Sequence, residues 1–381
     1  MPPQQLAPGG WTPTGSLSTP RGLHTATRLL DGTVLVVGGG STVMPLTSAE
    51  RYDPRTGTWA ATMSLATGRL WHTATLLYDG TVLVAGGVDG GLDRGFAVAA
   101  VERYDPQHGV WCTGPGLSFG RANHTATRLT DGCVLVAGSG GERERPMGVG
   151  APMTEVAGTG GERVLFPGSD RDVRRQLAEL YDPARELWSL AGRMGVGRTH
   201  PTATLLADGR VLVAGGSTPT PTATAEVYDQ RTGTWAATAD MASPRTYHAA
   251  VLLSDGRVLV SGGVVQSLPT SSIVTAATEL FDPRTGTWTV GAAMRERRWN
   301  HTAVVLADGR VLVAGGYGQD ARSALGSAEV YDPSTDTWVS AGAMCVARRM
   351  HTTTLLASGQ VLVVGGGLGE GALTAELYDP R

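Results

Sequence analysis

One position of a repeated motif carries different chemistry in different copies. The motif, seen as HTATLLYDGTVLVAGG from His72, recurs along the 381-residue chain, but the residue just before its first position varies. We call this position the variable column; it reads Leu23, Trp71, Asn123, His200, Tyr247, Asn300 and Met350. A histidine of ordinary pKa can move protons at neutral pH, and a tyrosine can act as its partner acid. His200 and Tyr247 are therefore the predicted catalytic residues.

The two asparagines of the variable column complete the predicted polar site. Asn123 and Asn300 are the only asparagines in the chain, and their amides could hold a developing oxyanion. His200 is one of two histidines outside the repeated histidine position. Such a set suits isomerisation, cyclisation or elimination, so we expect a metal-independent acid–base enzyme of the isomerase, cyclase or lyase type. The same residues would equally form a passive binding pocket.

Further residues near the variable column are predicted to contact the substrate. Trp71 and Trp299 are the only tryptophans outside the repeated tryptophan position. The predicted substrate contacts are Asn123, Asn300, Trp71, Trp299, Met350, Leu23, Tyr317 and Arg349. A mostly apolar cup with a few polar groups is typical of small-molecule sites, so the expected ligand is a small amphipathic molecule. The alternative is that a repeat architecture must fill these seven positions with some residue, whether or not a ligand binds.

Short strands in a sevenfold repeat must position these residues. Tryptophans align the copies at Trp11, Trp59, Trp111, Trp188, Trp235, Trp288 and Trp338. Each copy contains short β-branched runs such as TVLVAGG and nearly always an Asp-Gly pair, which predicts a two-residue type I′ hairpin turn. With its double glycine, Tyr-Asp pair and spaced Trp, the repeat resembles the kelch family. That resemblance implies an all-β, seven-bladed β-propeller with one four-stranded blade per repeat.

The two ends of the chain predict how the ring closes. The last copy stops at AELYDPR, after a third strand, and the first begins at GGWTPTGSL, a fourth strand alone. The N-terminal strand is therefore expected to complete the last blade and remove an exposed sheet edge. We expect a single propeller domain over 1–381. The large insertion at 139–176 in the third blade is expected to be a loop or lid beside His200, with a disordered surface loop as the alternative.

Three other positions repeat one residue type in nearly every copy. The arginine column comprises Arg21, Arg69, Arg121, Arg198, Arg245, Arg298 and Arg348. The glutamate column comprises Glu50, Glu102, Glu179, Glu226, Glu279, Glu329 and Glu376. The histidine column comprises His24, His72, His124, His248, His301 and His351. One arginine and one glutamate per blade favour buried structural ion pairs over ligand binding. The column histidines are expected to tie strands in place rather than bind metal.

Composition excludes several classes of function. A net charge of −3 and a pI near 6.2 argue against nucleic acid as a partner. The apolar runs are strand-sized and no signal peptide is visible, so we expect no membrane contact and a cytoplasmic location. The chain has no lysine, which excludes Schiff-base chemistry, and its three cysteines build no disulfide framework. A monomer without a cofactor is expected.

Two alternatives to an acid–base enzyme stay open. The stretch TYHAAVLLSDGRVLVSGG resembles the propeller of copper radical oxidases, in which an adjacent Tyr-His pair supplies metal ligands. That resemblance implies that a metal, if one binds, would use His200, Tyr247 and His248, although no cysteine occupies the matching column as in those enzymes. The other alternative is a protein–protein interaction propeller, in which Trp71, Trp299, Tyr317 and Arg349 would be surface anchors.

Overall fold

The strands form seven four-stranded antiparallel sheets, which are the blades of a β-propeller as the repeat predicted. The computed structural model describes residues 9–40, 44–90, 95–140, 154–157, 163–166, 171–267, 272–320, 323–367 and 370–381. Strand 1 of each blade contacts strand 1 of both neighbouring blades, so the seven first strands form a closed inner ring.

The strand bounds follow the repeat closely. Strand 1 of blades 1 to 7 spans Thr25–Arg28, Thr73–Leu76, Thr125–Arg128, Thr202–Leu205, Ala249–Leu252, Thr302–Val305 and Thr352–Leu355. Strand 2 spans Val34–Val37, Val82–Ala85, Val134–Ala137, Val211–Ala214, Val258–Ser261, Val311–Ala314 and Val361–Val364. Strand 3 spans Ala49–Asp53, Val101–Asp105, Leu177–Asp182, Ala225–Asp229, Thr278–Asp282, Leu325–Asp332 and Ala375–Asp379. Strand 4 spans Thr58–Thr62, Val110–Gly114, Leu187–Arg193, Thr234–Ala237, Thr287–Gly291, Thr337–Arg348 and Gly10–Thr14.

The N-terminal strand closes the ring, which confirms the prediction from the split last repeat. Gly10–Thr14 pairs antiparallel with Ala375–Asp379, and Trp11 lies opposite Tyr378 with ring centroids 5.0 Å apart. The indole Nε1 of Trp11 also donates a hydrogen bond of 2.8 Å to the carbonyl of Ala341 in blade 6. The closing strand therefore joins its own blade and the preceding one, and it covers the edge that strand 3 of blade 7 would otherwise expose.

The hairpin turns between strands 1 and 2 differ from the predicted two-residue type I′ turn. In blade 1, Gly32 has a φ of 86°, but Asp31 is not in the left-handed region that a type I′ turn would require. The Gly32 amide donates to the Leu29 carbonyl, and the Leu29 amide donates to the Thr33 carbonyl. This is a three-residue loop in which glycine alone is left-handed. Asp31 stabilises it by accepting a 2.9 Å hydrogen bond from the Thr33 amide.

The core lies between the blades. Each strand 2 is fully buried, and Val34 and Val36 of blade 1 pack against Leu362 and Val364 of blade 7 in one of several such clusters. Apolar side chains on both faces of every sheet explain why strand 2 reads as a continuous Val-Leu-Val run rather than an alternating pattern. Blades are thus held mainly by burial against their neighbours.

Every arginine of the arginine column pairs with the glutamate of its own blade, as predicted. The seven N–O distances lie between 2.5 and 2.9 Å, and each arginine side chain is fully buried. In blade 1, Arg21 also donates to the carbonyls of Gly38 and Ser48, while the Glu50 carboxylate accepts the Ser18 amide. These hydrogen bonds engage both terminal nitrogens of the Arg21 guanidinium and fix the segment that enters strand 1, so the structural interpretation is confirmed.

The insertion in blade 3 contains regular structure where it is described. Thr154–Ala157 pairs with Arg163–Phe166 in a hairpin, and a helix spans Arg171–Gln176. The predicted lid lies for the most part outside the described residues. Blade 5 carries a second hairpin, Val264–Ser267 with Ser272–Val274, and blade 7 a short 3-10 helix at Glu370–Ala372. No helix within the described ranges has the length and hydropathy needed to cross a membrane.

Candidate functional site

All seven residues of the variable column share one unusual backbone conformation. Their φ angles lie between 51° and 57°, in the left-handed region, at the point where each chain segment turns into strand 1. Their amides link neighbouring blades: Leu23 donates to the Met350 carbonyl, His200 to that of Asn123, and Asn300 to that of Tyr247. Asparagine adopts this conformation more readily than other non-glycine residues. Histidine is also enriched in this conformation, so conformation accounts for Asn123 and Asn300 and in part for His200, whereas it gives no reason for Tyr247.

The structure brings the four polar residues of the variable column to one cavity. A cavity of about 210 Å³ is lined by Asn123, His124, His200, Pro201, Tyr247, His248, Asn300 and His301. These residues come from blades 3 to 6 and lie at the start of strand 1, at the predicted mouth of the channel. Their roles in catalysis or binding stay predictions. His124, Pro201 and His301 were not predicted as lining residues, because each occupies a repeated position that looked purely structural.

The apolar half of the variable column does not line this cavity. Leu23, Trp71 and Met350 belong to blades 1, 2 and 7, on the other side of the ring, and each is half-buried. The lining of the described cavity is therefore more polar than the amphipathic cup that the sequence suggested. Among the described lining residues, no Asp, Glu or Arg side chain contributes a formal charge.

Burial changes the protonation chemistry of His200. Desolvation lowers the pKa of the imidazole from 6.5 to about 4, so the ring is neutral at pH 7. Its Nδ1 atom is buried and has no hydrogen-bond partner. The sequence-based expectation assumed a histidine of ordinary pKa. His200 is instead a base of roughly carboxylate strength, available in its unprotonated form at neutral pH.

The column histidines, three of which line the cavity, bond neighbouring blades to each other. His72 Nε2 lies 3.0 Å from Thr25 Oγ1 of the preceding blade, and the same contact joins Thr202 to His248 at 2.9 Å. All six make such a contact, although His301 uses Ser261. Burial first, and the neighbouring column arginine second, lower the pKa of His248 to about 3. These contacts agree with the expectation that the column histidines tie strands in place.

A row of rings extends from the cavity across blades 4 to 6. The His200 and Tyr247 ring centroids are 4.1 Å apart, and Tyr247 meets Trp299 edge-on at 5.2 Å. Trp299 stacks on Tyr317 at 4.4 Å with an interplanar angle of 11°, and the Arg349 guanidinium lies 4.5 Å from the centre of the Tyr317 ring. Tyr317 is only 8% exposed, so it packs inside this row and does not serve as a surface anchor for a protein partner.

The donor set at the cavity does not fit a copper centre. His248 Nε2 is engaged by Thr202 and its Nδ1 atom is buried, which leaves His200 and Tyr247 of the three residues that the copper alternative named. In the part of the chain that the structure describes, no three His, Cys, Asp or Glu side chains are grouped so that they could hold a metal ion. We therefore derive no reaction step through a metal.

Comparisons with known proteins agree with the repeat and the fold. The kelch motif model matches residues 21–65, 72–118, 198–242 and 298–344. A fungal alcohol oxidase of the AA5 family, solved in complex with copper, is 17% identical over 98% of this chain and 77% of that chain, with a TM-score of 0.74. YjhT is 16% identical over 85% of this chain and 98% of that chain, with a TM-score of 0.60. No curated protein sequence matches the chain.

At these identities the two solved structures are informative about the fold alone. The family model matches four separate repeats, and the seven blades carry the same Arg–Glu pairs and Tyr–Trp or Phe–Trp contacts throughout. The chain therefore contains kelch repeats and folds as a seven-bladed β-propeller.

Proposed function

We propose that the cavity binds a small, uncharged polar molecule and that His200 acts on it as a general base. The observation that carries the proposal is that His200 and Tyr247, two departures from the repeat, line one cavity together with both asparagines of the chain. The described lining carries no formal charge at neutral pH, because its histidines have lowered pKa values, so a charged ligand would find no charged partner there. The volume of about 210 Å³ corresponds to roughly seven water molecules.

Proton transfer is the chemistry that this lining supports. The neutral imidazole of His200 can accept a proton at pH 7, and Tyr247, whose ring lies against it, can donate one to the same substrate. The amide groups of Asn123 and Asn300 can donate hydrogen bonds to an oxygen that becomes negative. Abstraction of a proton beside a carbonyl, followed by reprotonation or elimination, uses all four residues. The proposed class is thus a metal-independent isomerase or lyase.

Deuterium exchange tests the reaction. The protein would be incubated in deuterated buffer at pH 7.5 with hydroxyacetone, dihydroxyacetone or cyclohexanone, and loss of the proton next to the carbonyl followed by NMR. We expect His200→Asn to lower the exchange rate by about 10²–10⁴-fold, the usual contribution of a general base. Asparagine is the suitable replacement because it occupies the same left-handed position in blades 3 and 6. Tyr247→Phe removes the hydroxyl and keeps the ring.

A control separates this site from exposed imidazoles. His108→Asn alters the exposed histidine in the turn between strands 3 and 4 of blade 2, at the end of the blade opposite the variable column. It should leave exchange unchanged. Saturation-transfer NMR on the same compounds reports binding independently of turnover. Binding without exchange would support a passive pocket instead of an enzyme. Equal exchange by the wild type and His200→Asn, or no binding of any compound, would contradict the proposal.

A further inference from the structure

Blade 6 differs from the other blades at the position just outside the variable column. There, the residue preceding the column forms a bridge with a residue that follows strand 2. The described bridges are Gly22–Gly40, Leu70–Val88, Thr199–Ser217, Thr246–Val264 and Trp299–Tyr317. In this set, blade 6 alone pairs two aromatic residues. Because small and aliphatic residues fill the same position in the other four bridges, the repeat itself does not require the aromatic pair.

The aromatic pair of blade 6 supports the tyrosine of the cavity. Trp299 meets the Tyr247 ring edge-on, with 5.2 Å between centroids, and its opposite support is the parallel ring of Tyr317. The Arg349 guanidinium covers Tyr317 in turn. The Trp299 Nε1 atom is buried and has no hydrogen-bond partner. The indole is therefore held by packing against the neighbouring rings and not by a hydrogen bond from Nε1. Each ring therefore limits the movement of the next.

We propose that Trp299 is a positioning residue, which holds the Tyr247 ring against His200 and so keeps the His200 imidazole buried in the cavity. Trp299 is itself held in place by Tyr317 and Arg349. Trp299 does not line the cavity itself and acts through Tyr247. The proposal rests on the proposed function only where it treats the cavity as the ligand site. The test of the positioning role needs no ligand. A negative result in that test would therefore not bear on the outcome of the deuterium-exchange experiment.

Chemical labelling of histidine at pH 7.5 tests the positioning role. Diethyl pyrocarbonate carbethoxylates accessible neutral imidazoles, and mass spectrometry gives the rate at each histidine. Trp299→Leu should raise the rate at His200 by about 2- to 10-fold, which corresponds to the loss of one aromatic pair. Leucine is a matched replacement because Leu70 holds the same position in blade 2. Trp299→Phe keeps a ring beside Tyr247 and should return the rate close to that of the wild type.

The other histidines and two variants provide the controls. His108, whose side chain is 71% exposed, reports reagent activity, while buried His124 and His248 report general loosening. Trp71→Leu is the control substitution, since Leu23 holds that position in blade 1. It should leave the His200 rate unchanged.

Tyr317→Leu removes the support behind Trp299 without touching Tyr247. It should raise the His200 rate as well, and it decides the matter if Trp299→Leu does not fold. An unchanged His200 rate in the folded variants overturns the proposal. So does an equal rise in Trp71→Leu, or a rise that also includes His124 and His248.

Discussion

Lowering the pH from 7.5 to 5.5 is expected to unfold the propeller. Seven buried histidines have pKa values depressed by desolvation: His24, His72, His124, His200, His248, His301 and His351. For His72, His124, His248 and His351 the folded pKa is about 3. In the unfolded chain these groups titrate near 6.5, so below that pH the unfolded state binds more protons and becomes favoured.

The size of the effect follows from the number of histidines. A group that stays neutral in the folded state but titrates near 6.5 when unfolded loses about 1.4 kcal/mol of stability between pH 7.5 and 5.5. Seven such groups lose about 10 kcal/mol, which is comparable with the whole stability of a typical domain. The stability is fully present above pH 6.5 and falls as the pH drops towards 3. Asp residues with lowered pKa values, such as Asp53 at about 2, lose their contribution only at lower pH.

Urea unfolding at pH 7.5, 6.5 and 5.5, followed by tryptophan fluorescence, measures this loss. His351→Gln should be less stable than the wild type at pH 7.5, because it alters the contact with Thr302. It should also show a shallower pH dependence, by about 1.4 kcal/mol per pH unit well below pH 6.5. A urea midpoint that stays constant between pH 7.5 and 5.5 would refute the reasoning, since it would mean that the histidines titrate alike in both states.

Two further predictions concern the stability of the repeat. Glu179→Gln leaves the fully buried Arg121 without its charge partner and should cost about 3–5 kcal/mol in urea unfolding. Arg55→Ala, at an exposed pair, should cost far less, and similar losses in the two variants would argue against the structural role of the buried pair. Met350→Gly should be more stable than Met350→Ala by about 1 kcal/mol, because only glycine adopts the left-handed backbone there without strain. The opposite order of stability in thermal melts would contradict that explanation.

The fold could be predicted because its information is local and repeated. Each copy carries its own strands, tight turns and tryptophan, so the blade count follows from alignment, and the missing strands at the two ends predict closure by Gly10–Thr14. The Arg–Glu pairs were equally predictable, because one arginine and one glutamate recur at fixed positions in every copy and opposite charges buried together pair. The turn type was wrong because Asp-Gly is compatible with several hairpin loops, and the hydrogen bonds of the loop choose among them.

The candidate site was only half determined by the sequence. Departures from the repeat singled out His200 and Tyr247, but the sequence alone did not show that the cavity would take the polar residues of blades 3 to 6 and omit Trp71. The tertiary structure also decided that His200 is neutral well below pH 6.5 and that Tyr317 is buried behind Trp299. Pocket boundaries, desolvation and ring contacts depend on residues from different blades, which a local pattern does not specify.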